Sequence, residues 1–257
     1  MAVWLNPPVL LKAKIKAALI HGVVTFFVGI VSAYLVFIVW YPNDLAEYIG
    51  GVGLFSLIMG VELCLGPIMS LIIYNPKKDR NELVRDYIFI GCVQIAALIY
   101  GLFTTFESRP VYAVFVIDRI EIISAIELKN DDLTLAAEKF RNLPKFGFQR
   151  ICVERPTDEK ERSDILMSAV TTNRDIELMP KYYRECGGDE VLNAALAGEI
   201  LVNKLKASSS TESLAGVSEM GDFKWLPVKS RFGAWIEIYP NGKLDDARYL
   251  NIDPFAL

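Results

Sequence analysis

Histidine is nearly absent. The 257 residues contain one, His21, and it sits at the entry of an apolar run. The rest of the chain therefore lacks the commonest general base and metal ligand. Cysteine is scarce as well, with four residues and no C-x-x-C pair. G-x-S-x-G, H-E-x-x-H and Walker A spacings are missing. The GGVG at 50–53 falls short of a dinucleotide fingerprint and opens another apolar run. Positive charge is not in excess, since 27 Lys and Arg stand against 31 Asp and Glu, so no basic face for nucleic acid is implied. The carboxylate pairs Asp131/Asp132 and Asp245/Asp246 fall in turn-like segments, where such groups cap helices or face water. Nothing here argues for an enzyme, and no cofactor or metal is implied.

Apolar residues, at 53%, are plentiful and unevenly spread. Residues 1–106 carry only seven basic and six acidic side chains, which leaves the remainder with a net charge near −5. A helix needs about 20 apolar residues to cross a bilayer. Residues 17–40, 51–74 and 87–106 each supply such a run. The first competes with a cleaved signal peptide, but its core is too long and WYPNDL follows it where a small-x-small site would be needed. The expected fold is thus an α-helical membrane region of three transmembrane helices, residues 1–106, followed by a small α+β extracytoplasmic domain, residues 107–257.

Basic residues in short flanks set orientation. Lys12, Lys14 and Lys16 precede the first run, and Lys77, Lys78, Arg80 and Arg85 lie between the second and third. The loop between the first and second has none and carries Asp44 and Glu47. The expectation is a multi-pass protein with a cytoplasmic N-terminus and its C-terminal domain on the opposite side, which in a bacterium is the periplasm.

Glu62 lies near the midplane of the second run, where an ionised group costs several kcal/mol. Pro67 cannot donate to the carbonyl of Leu63 and crowds that turn, so a kink is expected. Glu62 in its neutral form is one local donor, and Gln94 in the third run is a candidate partner. Two readings stay open: a buried clasp holding three helices together, or a polar spot that meets a guest helix. Small residues form stripes at helical spacing, Gly22, Thr25, Gly29 and Ala33 on the first run and Gly53, Ser56, Gly60 and Cys64 on the second. Such stripes let helices approach closely in lipid, either within the chain or against another protein. At 100° per residue, Glu62 faces away from the Gly60–Cys64 stripe.

In the remainder, 111–126 reads as strand interrupted near Asp118-Arg119, and 148–154 as another strand. Asp131 is the expected cap of a helix over DLTLAAEKFRN; PTDEKERSDILMSAV reads as a second helix and 187–207 as the strongest, capped by Asp189. The polar stretch 208–221 reads as loop or hinge. FKWLPVKS and AWIEIYPNGKLDDARYL read as strands, with PNG as a hairpin turn. Cys152 and Cys186 would meet an oxidising compartment, where a disulfide is open to them. Sequence alone does not bring the two sulfurs together.

Several stretches taken together resemble the type IV pilin accessory proteins of the TfpX and TfpZ kind. They are WYP at 40–42, VELCLGPIMSLIIYNPKKD at 61–79, and QIAALIYGLFTTFESRPVYAVFVIDRIEIISAIEL at 94–128, with weaker likeness at PKYY and FKWLPV. The motif positions are Glu62, Gly66, Pro67, Gln94, Tyr100, Gly101, Arg109, Pro110, Asp118 and Arg119. Ile120 departs from the aromatic more usual after Asp-Arg, and residues 187–220 have no counterpart. The resemblance implies a chaperone or assembly factor in the bacterial inner membrane that stabilises a cognate type IV major pilin. Its partners would be that pilin, the surrounding lipid and other pilus assembly proteins. No catalytic residues carry over. By the same resemblance, the stripes would receive the pilin's hydrophobic helix and the domain after Arg109 its head. Arg109 would anchor at the headgroups, while Asp118 and Arg119 would pair locally or face the partner. The alternatives are a membrane-anchored extracytoplasmic ligand sensor and an integral-membrane enzyme. The first lacks room for an output domain, the second a catalytic constellation.

Overall fold

The computed structural model describes residues 7–257 apart from 43, 188, 209–213, 215, 218 and 219. The chain divides into two compact units, Met1–Val39 with Val52–Phe106, and Trp40–Gly51 with Glu107–Leu257.

The first unit is helical. Helix α1 spans Pro7–Tyr34 and continues as a π-helical segment, Leu35–Trp40; α3 spans Gly51–Ile73 and α4 Arg80–Glu107. Among the described residues, Pro8–Trp40, Gly51–Ile73 and Arg80–Glu107 are long and apolar enough to cross a membrane. Helix α1 starts earlier than the apolar run, because Lys12, Lys14 and Lys16 are good helix formers and nothing breaks the helix before them. Lys14 Nζ donates to the carbonyl of Ile72 at 3.2 Å, closing one of the open carbonyls at the end of α3. Lys78 pairs with Asp86 at 2.6 Å and Glu82 at 3.4 Å at the start of α4. Helix α3 continues through Pro67.

The second unit holds the short helix α2, Leu45–Tyr48, and an eight-stranded mixed sheet. Strands β1 (Pro110–Val116), β2 (Arg119–Ser124), β3 (Gln149–Val153), β4 (Tyr183–Arg184), β5 (Leu196–Ala197), β6 (Phe223–Ser230), β7 (Gly233–Pro240) and β8 (Arg248–Leu250) run in the order β4-β3-β1-β2-β6-β7-β8, with β5 on β6. The β1–β3 and β2–β6 pairs are parallel and the others antiparallel. Strand β1 is buried along its whole length, which explains its unbroken apolar sequence. Two apolar cores lie on the sheet. One gathers Val114, Ile123, Phe140, Ile151, Ile165 and Tyr183, the other Leu201, Leu205, Trp225, Ile236 and Ile238.

The interruption near Asp118 is a two-residue hairpin turn between Val116 and Arg119. Ile117 there takes φ 58°, a left-handed conformation that a β-branched side chain resists. Helix α6, Glu159–Thr172, is capped by Asp158, which accepts from the Glu161 N–H at 2.9 Å.

Three local expectations need correction. The helix from Asp131 shrinks to α5, Asn130–Thr134, with Lys129 at its cap and a 3₁₀ turn at Glu138–Phe140. The long helix at 187–207 breaks into α7, Glu190–Ala194, and α8, Gly198–Ala207, and the Asp189 side chain makes no cap bond. Strand pairing overrides propensity here: Leu196 and Ala197 ladder onto Trp225 and Lys224, and the Trp225 indole donates to the Ala197 carbonyl at 3.2 Å. Gly198 then passes the Phe223 ring so closely that a Cβ would sit 2.7 Å from it. Asn241 and Gly242 do turn with positive φ, but β7 and β8 join through the longer loop 241–247 because Ile238 pairs with Arg248. The stretch 208–221 lies largely outside the described residues; Val217 within it is buried in the second core.

Candidate functional site

Glu62, Gly66 and Ser70 stand four residues apart on α3, so they share one helix face. That face is buried: Glu62 is 5% exposed and Ser70 fully covered. From α1, the His21 ring reaches Ser70 Oγ through Nδ1 at 2.7 Å and Gln94 Oε1 of α4 through Nε2 at 2.7 Å. Gln94 also hydrogen-bonds the Glu62 side chain. With the Gln94 oxygen toward the ring, His21 Nε2 carries the proton, and in the neutral ring Nδ1 accepts from the Ser70 hydroxyl. Gly66 makes the crossing feasible, because a Cβ there would meet Gln94 Nε2 at 2.5 Å and His21 Nε2 at 3.1 Å.

Four polar side chains from three helices thus satisfy one another where the helices meet, and unpaired polar groups buried there are costly. The sequence pointed to Glu62 and Gln94 and missed His21 and Ser70. The available signal was spacing: Ser70 repeats the four-residue period from Glu62, and His21 is the only imidazole.

The two small-residue stripes have different surroundings. On α1, Thr25 and Gly29 are buried and Gly22 and Ala33 half-buried. A Cβ at Gly22 would touch Pro67 at 3.4 Å, and one at Gly29 would meet the end of Met59 at 2.5 Å, so this stripe packs against α3. On α4, Gly101 lies against Ile58 of α3, where a Cβ would come within 2.8 Å, whereas Tyr100 is exposed. On α3, Gly53, Ser56, Gly60 and Cys64 are exposed, and a Cβ at Gly53 or Gly60 would find nothing within 4 Å among the described residues. Helix α3 therefore has one face closed by its own neighbours and a second face of small residues left open.

In the sheet domain, Arg109 is 3% exposed, and its guanidinium donates to the Pro144 carbonyl at 2.8 Å and 3.3 Å. The expected headgroup anchor is corrected: Arg109 is buried and ties the entry of β1, at Pro110, to a loop. Arg119 donates to Glu121 at 2.6 Å and approaches exposed Asp118 at 3.6 Å. Cys152 and Cys186 form a disulfide with Cα atoms 5.0 Å apart. Arg150 of β3 makes a bidentate pair with Glu237 of β7 at 2.6 Å and 2.9 Å, and the Tyr239 hydroxyl donates to the same carboxylate at 2.5 Å. Strands so far apart in the sheet order meet only if the sheet curls. Burial alone would weaken the guanidinium's hold on its proton, but Glu237 beside it holds Arg150 above the usual range. The pair lines a cavity of about 610 Å³ with Asp44, Glu47, Tyr48 and Arg248. A smaller cavity of about 300 Å³ is lined by Arg119, Glu121, Glu127, Asp175, Glu177 and Arg231. Glu177 Oε2 is buried there without a hydrogen-bond partner among the described residues. Burial pushes the Glu177 carboxyl up to about 7; Glu121 and Asp175 add to the rise, against the pull of its backbone bond and Arg119.

A bundle of three membrane-length helices, clasped by buried polar groups and joined to a mixed-sheet domain, defines a membrane-associated protein with a folded appendage. The family model for the fimbrial assembly protein FimB matches residues 9–50. A fimbrial assembly protein of serogroups C1 and C2 of Dichelobacter nodosus is 37% identical over 127 residues, 49% of this chain and 95% of that protein. Those of serogroups E1 and I are each 36% identical over 155 residues, covering 60% of this chain and 60% of their own length. The chain belongs to the fimbrial assembly proteins, an accessory family of type IV pilus assembly. No solved structure matches it.

Proposed function

We propose that this chain is an inner-membrane accessory protein that stabilises a cognate type IV major pilin and supports its assembly, acting by binding and not by catalysis. Membership of the fimbrial assembly family carries this reading. The proposed topology has a cytoplasmic N-terminus and a periplasmic sheet domain. Three features support it. Lys12, Lys14 and Lys16 lie in the first turns of α1, and Lys77, Lys78, Arg80 and Arg85 lie between α3 and the apolar part of α4. The loop 40–51 belongs to the same compact unit as 107–257, as expected when two crossings separate them. The Cys152–Cys186 disulfide suits an oxidising compartment.

Within this reading, the open face of α3 receives the hydrophobic helix of the pilin. Gly53, Ser56 and Gly60 allow backbones to approach, and dispersion then holds the pair together in lipid. The test is a deletion strain complemented with wild type or Gly60→Leu, with pilin level, piliation and pilin recovered in mild detergent as readouts. Wild type restores all three, and Gly60→Leu accumulates normally but recovers little pilin. Normal pilin and piliation in the deletion strain would sink the proposal. Recovery of a second copy of this chain in place of pilin would reassign the face to self-association.

A further inference from the structure

One face of the sheet is not covered by either apolar core. Cross-strand partners share a face, so Ala113 with Ile122, Phe115 with Ile120, Ile120 with Val228, and Val228 with Trp235 lie side by side. All of these are buried, yet none belongs to the two cores on the opposite side. The segment 40–51 lies on this face. The Tyr48 ring packs on Trp235 at 4.9 Å and edge-on to Tyr249 at 5.7 Å, and Gly50 abuts the Phe232 ring. Tyr41, Leu45, Ala46 and Ile49 of the same segment are buried. A segment that buries Trp40, Tyr41, Leu45, Ala46 and Ile49 and stacks Tyr48 is a working part of the domain core.

Both ends of this segment continue into membrane-length helices. At one end stands the π-helical winding of Leu35–Trp40, a rare helical form that recurs at functional sites. At the other, Gly50 takes φ 75°, and the next residue begins α3. The segment is thus core for the sheet domain and linker for α1 and α3, with a change of backbone winding on each side.

We propose that residues 40–51 act as a strap through which the packing of α1 against α3 sets how firmly the sheet domain is closed. A change in the spacing of the two helices moves the ends of the strap, slackens its seat on Trp235 and Tyr249, and loosens the face beneath. A helix docking on the membrane unit would thereby be registered in the folded domain. The inference rests on the membrane reading of α1 and α3 and does not depend on pilin.

Hydrogen–deuterium exchange on the full chain in lipid nanodiscs tests it, following peptides over 119–124, 224–229 and 233–238. Three variants are compared with wild type. Tyr48→Ala weakens the seat. Gly29→Leu forces α1 from Met59 of α3. Val31→Leu, on the exposed side of α1, is the control. Tyr48→Ala and Gly29→Leu are expected to speed exchange in the three peptides by about tenfold, and Val31→Leu to leave it unchanged. If Gly29→Leu prevents folding, Gly29→Val, bulkier than the alanine that the flexible end of Met59 would accommodate, applies a smaller push and should give a smaller rise. Sheet peptides at wild-type rates in the Gly29 variants, with faster exchange confined to α1 and α3, would show a passive cover and overturn the proposal. Unchanged rates in Tyr48→Ala would overturn it too. Since pilin is absent from the measurement, failure here leaves the proposed function standing.

Discussion

Ile117 holds φ 58° at an exposed hairpin tip, where its side chain gains little to offset the strain. Left-handed backbone costs an L-residue about 1–2 kcal/mol that glycine does not pay. Ile117→Gly should therefore stabilise the sheet domain by about 1 kcal/mol, net of glycine's larger unfolded-state entropy. A rise in the midpoint of denaturant unfolding would check it. Glu177 makes a second prediction. Its carboxyl is raised to about 7 from an ordinary 4.5, so the folded state binds the proton more tightly than the unfolded chain. Its contribution is then fully present in acid and lost as pH rises through about 7, on the order of 3 kcal/mol in all. Glu177→Gln should flatten the fall in melting temperature between about pH 5 and about pH 8. Neither residue stands out in the sequence. Ile117 reads as an ordinary strand apolar, and Glu177 acquires its surroundings only when the turn Ile176–Leu178 folds beside β2.

At the scale of elements, α3 has two faces of different use. Glu62, Gly66 and Ser70 make a polar seam closed by α1 and α4, while Gly53, Ser56 and Gly60 stay open. Gln94 joins the clasp to both neighbours, so Gln94→Leu removes bonds to His21 and Glu62 together. Interhelical hydrogen bonds in membranes are each worth roughly 0.6–1.7 kcal/mol. A drop of several degrees in detergent melting is expected, with less protein accumulating. Unchanged melting with lost pilin recovery would place Gln94 in partner binding. The two-faced character of α3 was legible from a 100° helical wheel. The break at 195–197 was not, because a good helix-forming sequence yields there to the ladder with β6.

For the whole molecule, the disulfide and the strap tie distant stretches of chain into one domain. Cys152 and Cys186 close a loop of 34 residues, so double replacement by Ser should cost about 2–4 kcal/mol. Thermal unfolding of the variant, or of wild type under reductant, should show the same downward shift. The strap places residues 40–51 in the core of a domain that otherwise begins near residue 107.

The division into three membrane-length helices and a mixed domain was written in the sequence itself. Runs of about 20 apolar residues and the flanking lysines are local, and the bilayer reads them one segment at a time. Which stripe of glycines is closed, how His21 and Ser70 complete the clasp, and why the loop 40–51 belongs to the sheet domain were decided by tertiary structure. Those outcomes depend on which faces meet across long separations of chain, and periodicity along a single helix carries no record of its neighbour.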